Sequence, residues 1–310
     1  MVPCPLRGGR HGICKIEMNY QWYPGHMTKA KRMMQENIKL IDLIIELVDA
    51  RAPLASRNPD IDQLGKGKSR IVLLNKADLA DPSVNRLWME YFEGQGCHVL
   101  EVNSRTGAGV KGINRVVQQA CAEKIARDRK RGILNRPVRA MVAGIPNVGK
   151  STFINAFAGK ACTKTGNKPG VTKGKQWIRL NRTLELLDTP GILWPKFEDN
   201  QVGMLLAFIG SINDEIIIME ELACDMLNCL RLIYPDAVTA RYGITWRENA
   251  TDMLTEIARS RGCFLKGENL DLKKAADILA DDFRAGRLGR ISLERPTAQL
   301  TGGKESEGEG

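Results

Sequence analysis

Long apolar runs are missing from this chain of 310 residues. No stretch approaches the roughly 18–20 apolar residues that a membrane helix needs, and the first residues lack a signal-peptide core, so no membrane partner is expected. Aromatic residues are sparse. Cysteine occurs eight times but never as a C-x-x-C pair or with a histidine at ligand spacing. Neither a zinc site nor a disulfide framework is indicated, and reduced thiols in a cytoplasmic setting fit best. Acidity is also lacking: the net charge of +10 favours a polyanionic partner, because Lys and Arg release counterions on meeting phosphates, or else a solvated basic surface.

The length suits one sizeable core and a smaller second one, hence two domains. Residues 1–17 carry Pro, Gly and Arg without periodicity and are expected to be a disordered extension. From Thr28 to about Leu40 the pattern predicts a helix capped by Thr28. Short apolar runs then end in polar residues: LIIELV before Asp49, IVLLN before Lys76, HVLEV before Asn103, VRAMVAG before Ile145 and LELLD before Thr189. Strands alternating with helical stretches predict an α/β fold with a mostly parallel sheet, whose ligands bind where the carboxyl ends of strands meet loops. Residues 121–139 form a basic helical stretch and turn, a solvated linker or an RNA contact. After Trp194 helical periodicity takes over in Asn213–Tyr234, Arg247–Arg261 and Asp271–Ala285. The expected division is a nucleotide domain over 18–200, an all-helical domain over 201–293 and a disordered tail over 294–310.

GIPNVGKS, Gly144 to Ser151, matches the phosphate-loop pattern between a strand and a helix. Backbone N–H groups of such a loop close around phosphates, the helix presents its positive end, Lys150 reaches the β/γ oxygens and Ser151 can ligate Mg²⁺. Nucleotide contacts are expected from Asn147, Val148, Gly149, Lys150, Ser151 and Thr152. DTPG places Asp188 to hold Mg²⁺ and the Gly191 N–H to meet a γ-phosphate. Between them, Thr172 of PGVT is the candidate that closes on Mg²⁺ and the γ-phosphate. NKAD, Asn75 to Asp78, ends another strand. The Asp78 carboxylate can accept from guanine N1–H and the exocyclic amine, whereas adenine offers no such donor pair; mismatches of this kind discriminate by about 10⁴-fold. Asn75 can brace the loops, the Lys76 stem can lie over the base, and the NSR turn at Asn103 offers Ser104 as a backbone contact to the guanine carbonyl.

Ordinary GTPases place NKxD after the phosphate loop, whereas here NKAD and NSR come first. Because chain ends commonly lie close together, such a permutation leaves the sheet and site intact. It also runs the DTPG switch almost directly into the helical region, so a γ-phosphate-dependent shift there would pull on that region with little slack.

These motifs, with WYPGHM at 22–27, DARAP at 49–53 and FRAGRLGR at 283–290, resemble the circularly permuted GTPases of the ribosome biogenesis GTPase A (YlqF-like) family over roughly Met18 to Leu293. The resemblance implies GTP as substrate, Mg²⁺ as cofactor and slow hydrolysis stimulated by a large-ribosomal-subunit precursor, by a protein monomeric when free. It implies that His26 approaches the γ-phosphate where Ile192 cannot orient water, although a structural histidine is the alternative. It further implies that Asn147 helps coordinate K⁺, that Asp49 and Arg51 organise loops or touch ligand, and that the helical region binds RNA, with Arg284, Arg287 and Arg290 as phosphate contacts or a solvated face. A different class of answer is a regulatory binding protein that reports GTP levels through a protein partner; an ATP-dependent RNA remodeller is disfavoured by NKAD.

Overall fold

The computed structural model describes Arg32 and residues 34–134, 136–162, 176–189 and 200–296. Helical residues 34–37 and a 3-10 turn (Ile38–Leu40) lead into β1 (Leu43–Asp49), whose seven residues are all buried. A strand this uniformly buried must be covered on both faces. It is followed by α1 (Asp60–Leu64), β2 (Ser69–Asn75), α2 (Pro82–Gly94), β3 (His98–Val102), α3 (Ile113–Ala120), α4 (Ala122–Lys130), β4 (Val138–Ala143), α5 (Lys150–Ala158), β5 (Gln176–Arg179) and β6 (Leu184–Asp188). The strands form one sheet in the order β3-β2-β1-β4-β6-β5, parallel throughout except for the β5–β6 pair.

All five strands expected from the apolar runs are present, and the fold is the α/β class read from the sequence. The four-residue edge strand β5 is an addition to that pattern. Of the predicted first helix, Thr28 lies outside the described residues.

The helical region comprises α6 (Asn200–Phe208), α7 (Met219–Ile233), α8 (Pro235–Tyr242), α9 (Ala250–Ser260) and α10 (Leu272–Arg284). Side-chain caps set several helix starts in the chain. Asp81 accepts from Ser83 N–H ahead of Pro82, Asn249 from Asp252 N–H, and Asp271 from Lys274 N–H. The expected second core is not separate. One apolar cluster runs from the strand positions Ile45, Leu47 and Val142 through Phe153 and Phe208 to Leu227, Ile257, Leu279 and Phe283. The apolar stripe of each helix needs a partner, and here the sheet and α5 supply part of it.

Other patches of the sheet are closed by Trp88, Tyr91 and Phe92 of α2, and by Met34, Ile41 and Ile61. The chain then returns to the sheet domain. Ile291 N–H donates to Leu79 O, Leu293 N–H to Arg51 O, and the Glu294 carboxylate accepts from Leu54 and Ala55 N–H at 2.8 and 3.1 Å. The tail boundary expected at 294 therefore lies too early, since Glu294 fastens the segment to the loop after β1.

Candidate functional site

Register decides which loops meet. Asp49 pairs with Asn75, Asn75 with Val102, Glu46 with Ala143, and Val142 with Asp188. The loops after β1, β2, β3, β4 and β6 therefore emerge at one end of the sheet, although their motifs are spread from position 49 to position 191 in the chain.

Asn75 joins them. Its Nδ2 donates to Val148 O of the phosphate loop at 2.6 Å, while its Oδ1 accepts from Ser104 N–H at 3.0 Å and Ser104 Oγ at 2.8 Å. A Cβ at Gly149 would stand 2.5 Å from Asn75 Nδ2, and Gly149 has φ +97°, so only glycine admits this approach. Asn75 thus braces the phosphate loop against the NSR turn. The Ser104 N–H, expected to meet the guanine carbonyl, is directed at Asn75 instead. Asn103 Oδ1 accepts from Arg105 and Thr106 N–H and folds the turn. Asp78 lies exposed in the 3-10 turn Ala77–Leu79 that follows β2 at this end of the sheet.

Lys76 adopts a left-handed backbone, φ 57°, and its Nζ lies 2.9 Å from Asp49 Oδ2. Arg51 grips the same carboxylate, Nε to Oδ1 at 2.9 Å and Nη2 to Oδ2 at 2.8 Å. Burial pushes the Asp49 carboxyl up, but Arg51 and Lys76 outweigh it and hold the group well below the usual carboxylate range. Burial pulls the Lys76 ammonium below its ordinary value, with Asp49 opposing. Arg51 Nη1 also donates to Phe283 O and Arg284 O at the end of α10, at 3.5 and 3.4 Å. The DARAP loop is thus an organiser that connects the NKAD turn to the helical region.

On the phosphate side, Lys150 opens α5 after Gly149, and Ser151 and Thr152 follow in the first turn, where the N–H groups of a helix start favour anions. Lys150 Nζ donates to Gly144 O and Ile145 O at 2.9 and 2.8 Å. Asp188 is 1% exposed, and neither carboxylate oxygen has a hydrogen-bond partner among the described residues. Burial pushes its carboxyl up to about 6 against the pull of the Lys150 ammonium. Burial in turn pulls Lys150 down to about 8, with Asp188 opposing. A buried carboxylate short of donors suits a hard cation or its bound water, so Asp188, with Ser151 at the start of α5, fits Mg²⁺. Thr189 Oγ1 donates to Val142 O at 2.7 Å and pins the strand end behind Asp188.

Asn147 has φ 60° and donates from Nδ2 to Gly210 O at 2.8 Å, just past α6. The phosphate loop therefore touches the helical region directly, through a pairing that no local sequence pattern signals. His26, Thr172 and Gly191 lie outside the described residues. Arg284, expected to face RNA, instead donates to Ala207 O and Phe208 O and pairs with Asp214 at 2.6 Å. Arg287 is paired with Asp282, while Arg290 is exposed. Among the described residues, no helix is long and apolar enough to cross a membrane.

Comparison with known proteins agrees with this layout. The family model for 50S ribosome-binding GTPases matches residues 139–232. Ribosome biogenesis GTPase A of Bacillus cereus is 44% identical over 280 residues, covering 90% of this chain and 95% of that protein. The Thermotoga maritima protein of the same name is 33% identical over 89% of this chain and 94% of its own length. The solved structure of GNP-bound YlqF from T. maritima superposes with a TM-score of 0.61 at 29% identity, over 86% of this chain and 98% of that one. Motifs, sheet order and these likenesses together place the chain in the ribosome biogenesis GTPase A family.

Proposed function

We propose that this chain is a GTP-hydrolysing assembly factor that binds a large-ribosomal-subunit precursor in its GTP form and leaves, in the cytoplasm, after the particle has stimulated hydrolysis. The Asn75 bridge is the main support, because it ties the strand end bearing the Asp78 turn to the phosphate loop bearing Lys150. Asp78 reads the guanine edge, and the Lys76 stem, anchored by Asp49, flanks the ring. Lys150 leaves the loop carbonyls for the β/γ oxygens, and the first turn of α5 supplies N–H donors. Ser151, Asp188 and Thr172 would hold Mg²⁺, which neutralises charge developing on the phosphoryl oxygens when bound.

Gly191 would meet the γ-phosphate. Because Ile192 has no group to orient water, His26 is assigned that task once the particle brings its segment close. K⁺ at Asn147 would have to coexist with the amide's bond to Gly210.

Steady-state hydrolysis measured with and without isolated large subunits tests this role. Stimulation by about 10³-fold or more is expected, as activated phosphate-loop GTPases show, and His26→Ala should lose it while still binding the particle. Absence of stimulation would favour the regulatory protein that senses GTP through a protein partner.

A further inference from the structure

A second surface gathers around the edge strand β5, on the face of the sheet opposite Asp188. Trp177 pairs in register with Leu187, and Arg179 with Glu185, whose other neighbour is Arg139. Because side chains alternate along a strand, Trp177 points to the face opposite Asp188. A cavity of about 240 Å³ is lined by Leu40, Arg139, Trp177, Arg179 and Glu185. Trp177 is 38% exposed, an unusual placement for so large a ring. The Arg139 guanidinium lies 5.4 Å from the ring centroid, steadied by Glu185 at 3.2 Å. Arg179 is exposed, as is Arg182 in the turn that joins β5 to β6.

Three arginines against one glutamate leave this patch positive, and that glutamate is already engaged by Arg139. An acidic peptide would satisfy the arginines but put nothing against the exposed part of the indole beside Arg139. A nucleic-acid strand satisfies both: a base stacks on the ring while the flanking phosphates meet the guanidiniums. A duplex would keep its bases stacked away from the indole, so the partner is single-stranded.

We propose that this edge is a contact for single-stranded RNA, with an unpaired base against Trp177 and phosphates against Arg179 and Arg182. It deepens the ribosomal reading above and rests on that reading for the choice of RNA over DNA.

The test uses the full chain and a fluorescein-labelled ten-nucleotide oligo(A) RNA, followed by anisotropy across a salt series. Trp177→Ala should weaken binding about 10-fold at every salt concentration, the scale of a missing base–aromatic stack, and Trp177→Phe should recover most of it. Arg179→Ala with Arg182→Ala should flatten the slope of log affinity against log salt by about 1.4, at about 0.7 for each single-strand phosphate that is no longer neutralised. Hydrolysis without the particle should be unchanged in all three variants, and their unfolding midpoints confirm that they fold.

Unaltered RNA binding in Trp177→Ala would overturn the proposal. So would tighter binding of a ten-residue glutamate peptide than of the RNA, abolished in the double arginine variant, which would assign the edge to a protein. The two readings fail separately: absence of particle-stimulated hydrolysis beside Trp177-dependent RNA binding removes the assembly role and leaves this contact standing.

Discussion

On the base side of the nucleotide cleft, Asn75, Ser104, Lys76, Asp49 and Arg51 satisfy one another through short hydrogen bonds and ion pairs. On the phosphate side, Asp188 keeps both oxygens buried without a partner among the described residues, and Lys150 rests on loop carbonyls. The base side is therefore built in advance and lends stability to the fold, whereas the phosphate end holds charges at a cost that a cation and phosphates would offset. Perturbed, under-partnered ionisable groups of this kind gather where ligands bind. The contrast extends to the helical region, which is fastened to the base side through Arg51 and Glu294 and to the phosphate loop by the Asn147 contact. A shift of the phosphate loop would thus be felt at Gly210 first.

The contrast can be broken most forcibly at Arg51. Arg51→Met leaves the buried Asp49 carboxylate with Lys76 as its one cation beside the residue 51 backbone N–H, and removes the side-chain donor from Phe283 O and Arg284 O at the end of α10. Removing one partner of a buried pair costs about 3–5 kcal/mol, so chemical denaturation should show a loss of that size. An unchanged midpoint would mean that the base side is not a structural unit. Asn75→Ala comes next: it orphans Val148 O and both Ser104 donors, for an expected loss of about 1–3 kcal/mol together with weaker GDP binding by calorimetry.

Asp188→Asn should act in the opposite direction on stability. Its folded pKa, about 6, is raised above the ordinary 3.8. The proton is held more tightly in the folded state, so this contribution is full below the ordinary value and is lost as pH rises through about 6. At neutral pH the asparagine variant should be more stable by about 1–3 kcal/mol, with a flatter pH profile on the acid side, while Mg²⁺-dependent nucleotide affinity falls. Destabilisation at neutral pH would show that the carboxylate is satisfied after all.

Much of this was legible in the sequence because it depends on local pattern. Apolar runs such as LIIELV and IVLLN specify buried parallel strands, and the motifs sit immediately after them, so their convergence follows from fold class. What was not legible depends on tertiary placement. β5 is only QWIR and owes its strand to pairing with β6. α8, PDAVTARY, carries little apolar periodicity and buries only Val238 and Tyr242. Arg284 reads as a free cation within FRAGRLGR, but the carbonyl end of α6 and Asp214 claim it. No local rule assigns Glu294 to the N–H groups of Leu54 and Ala55, some 240 residues earlier. The same holds for Ser104, whose amide serves Asn75.

If the upstream NKAD turn and the downstream phosphate loop hold one nucleotide between them, a change at Asp78 alone must alter which base is carried by the nucleotide whose phosphates Lys150 holds. Asp78→Asn makes that change, because an asparagine amide can donate to the C2 carbonyl of xanthine but cannot accept both of guanine's paired donors as a carboxylate does. With Lys150 intact, affinity for GTP should fall by about 10³-fold or more while affinity for xanthosine triphosphate rises, both measured by competition for a single site. GTP affinity equal to that of the unaltered protein would contradict the shared site.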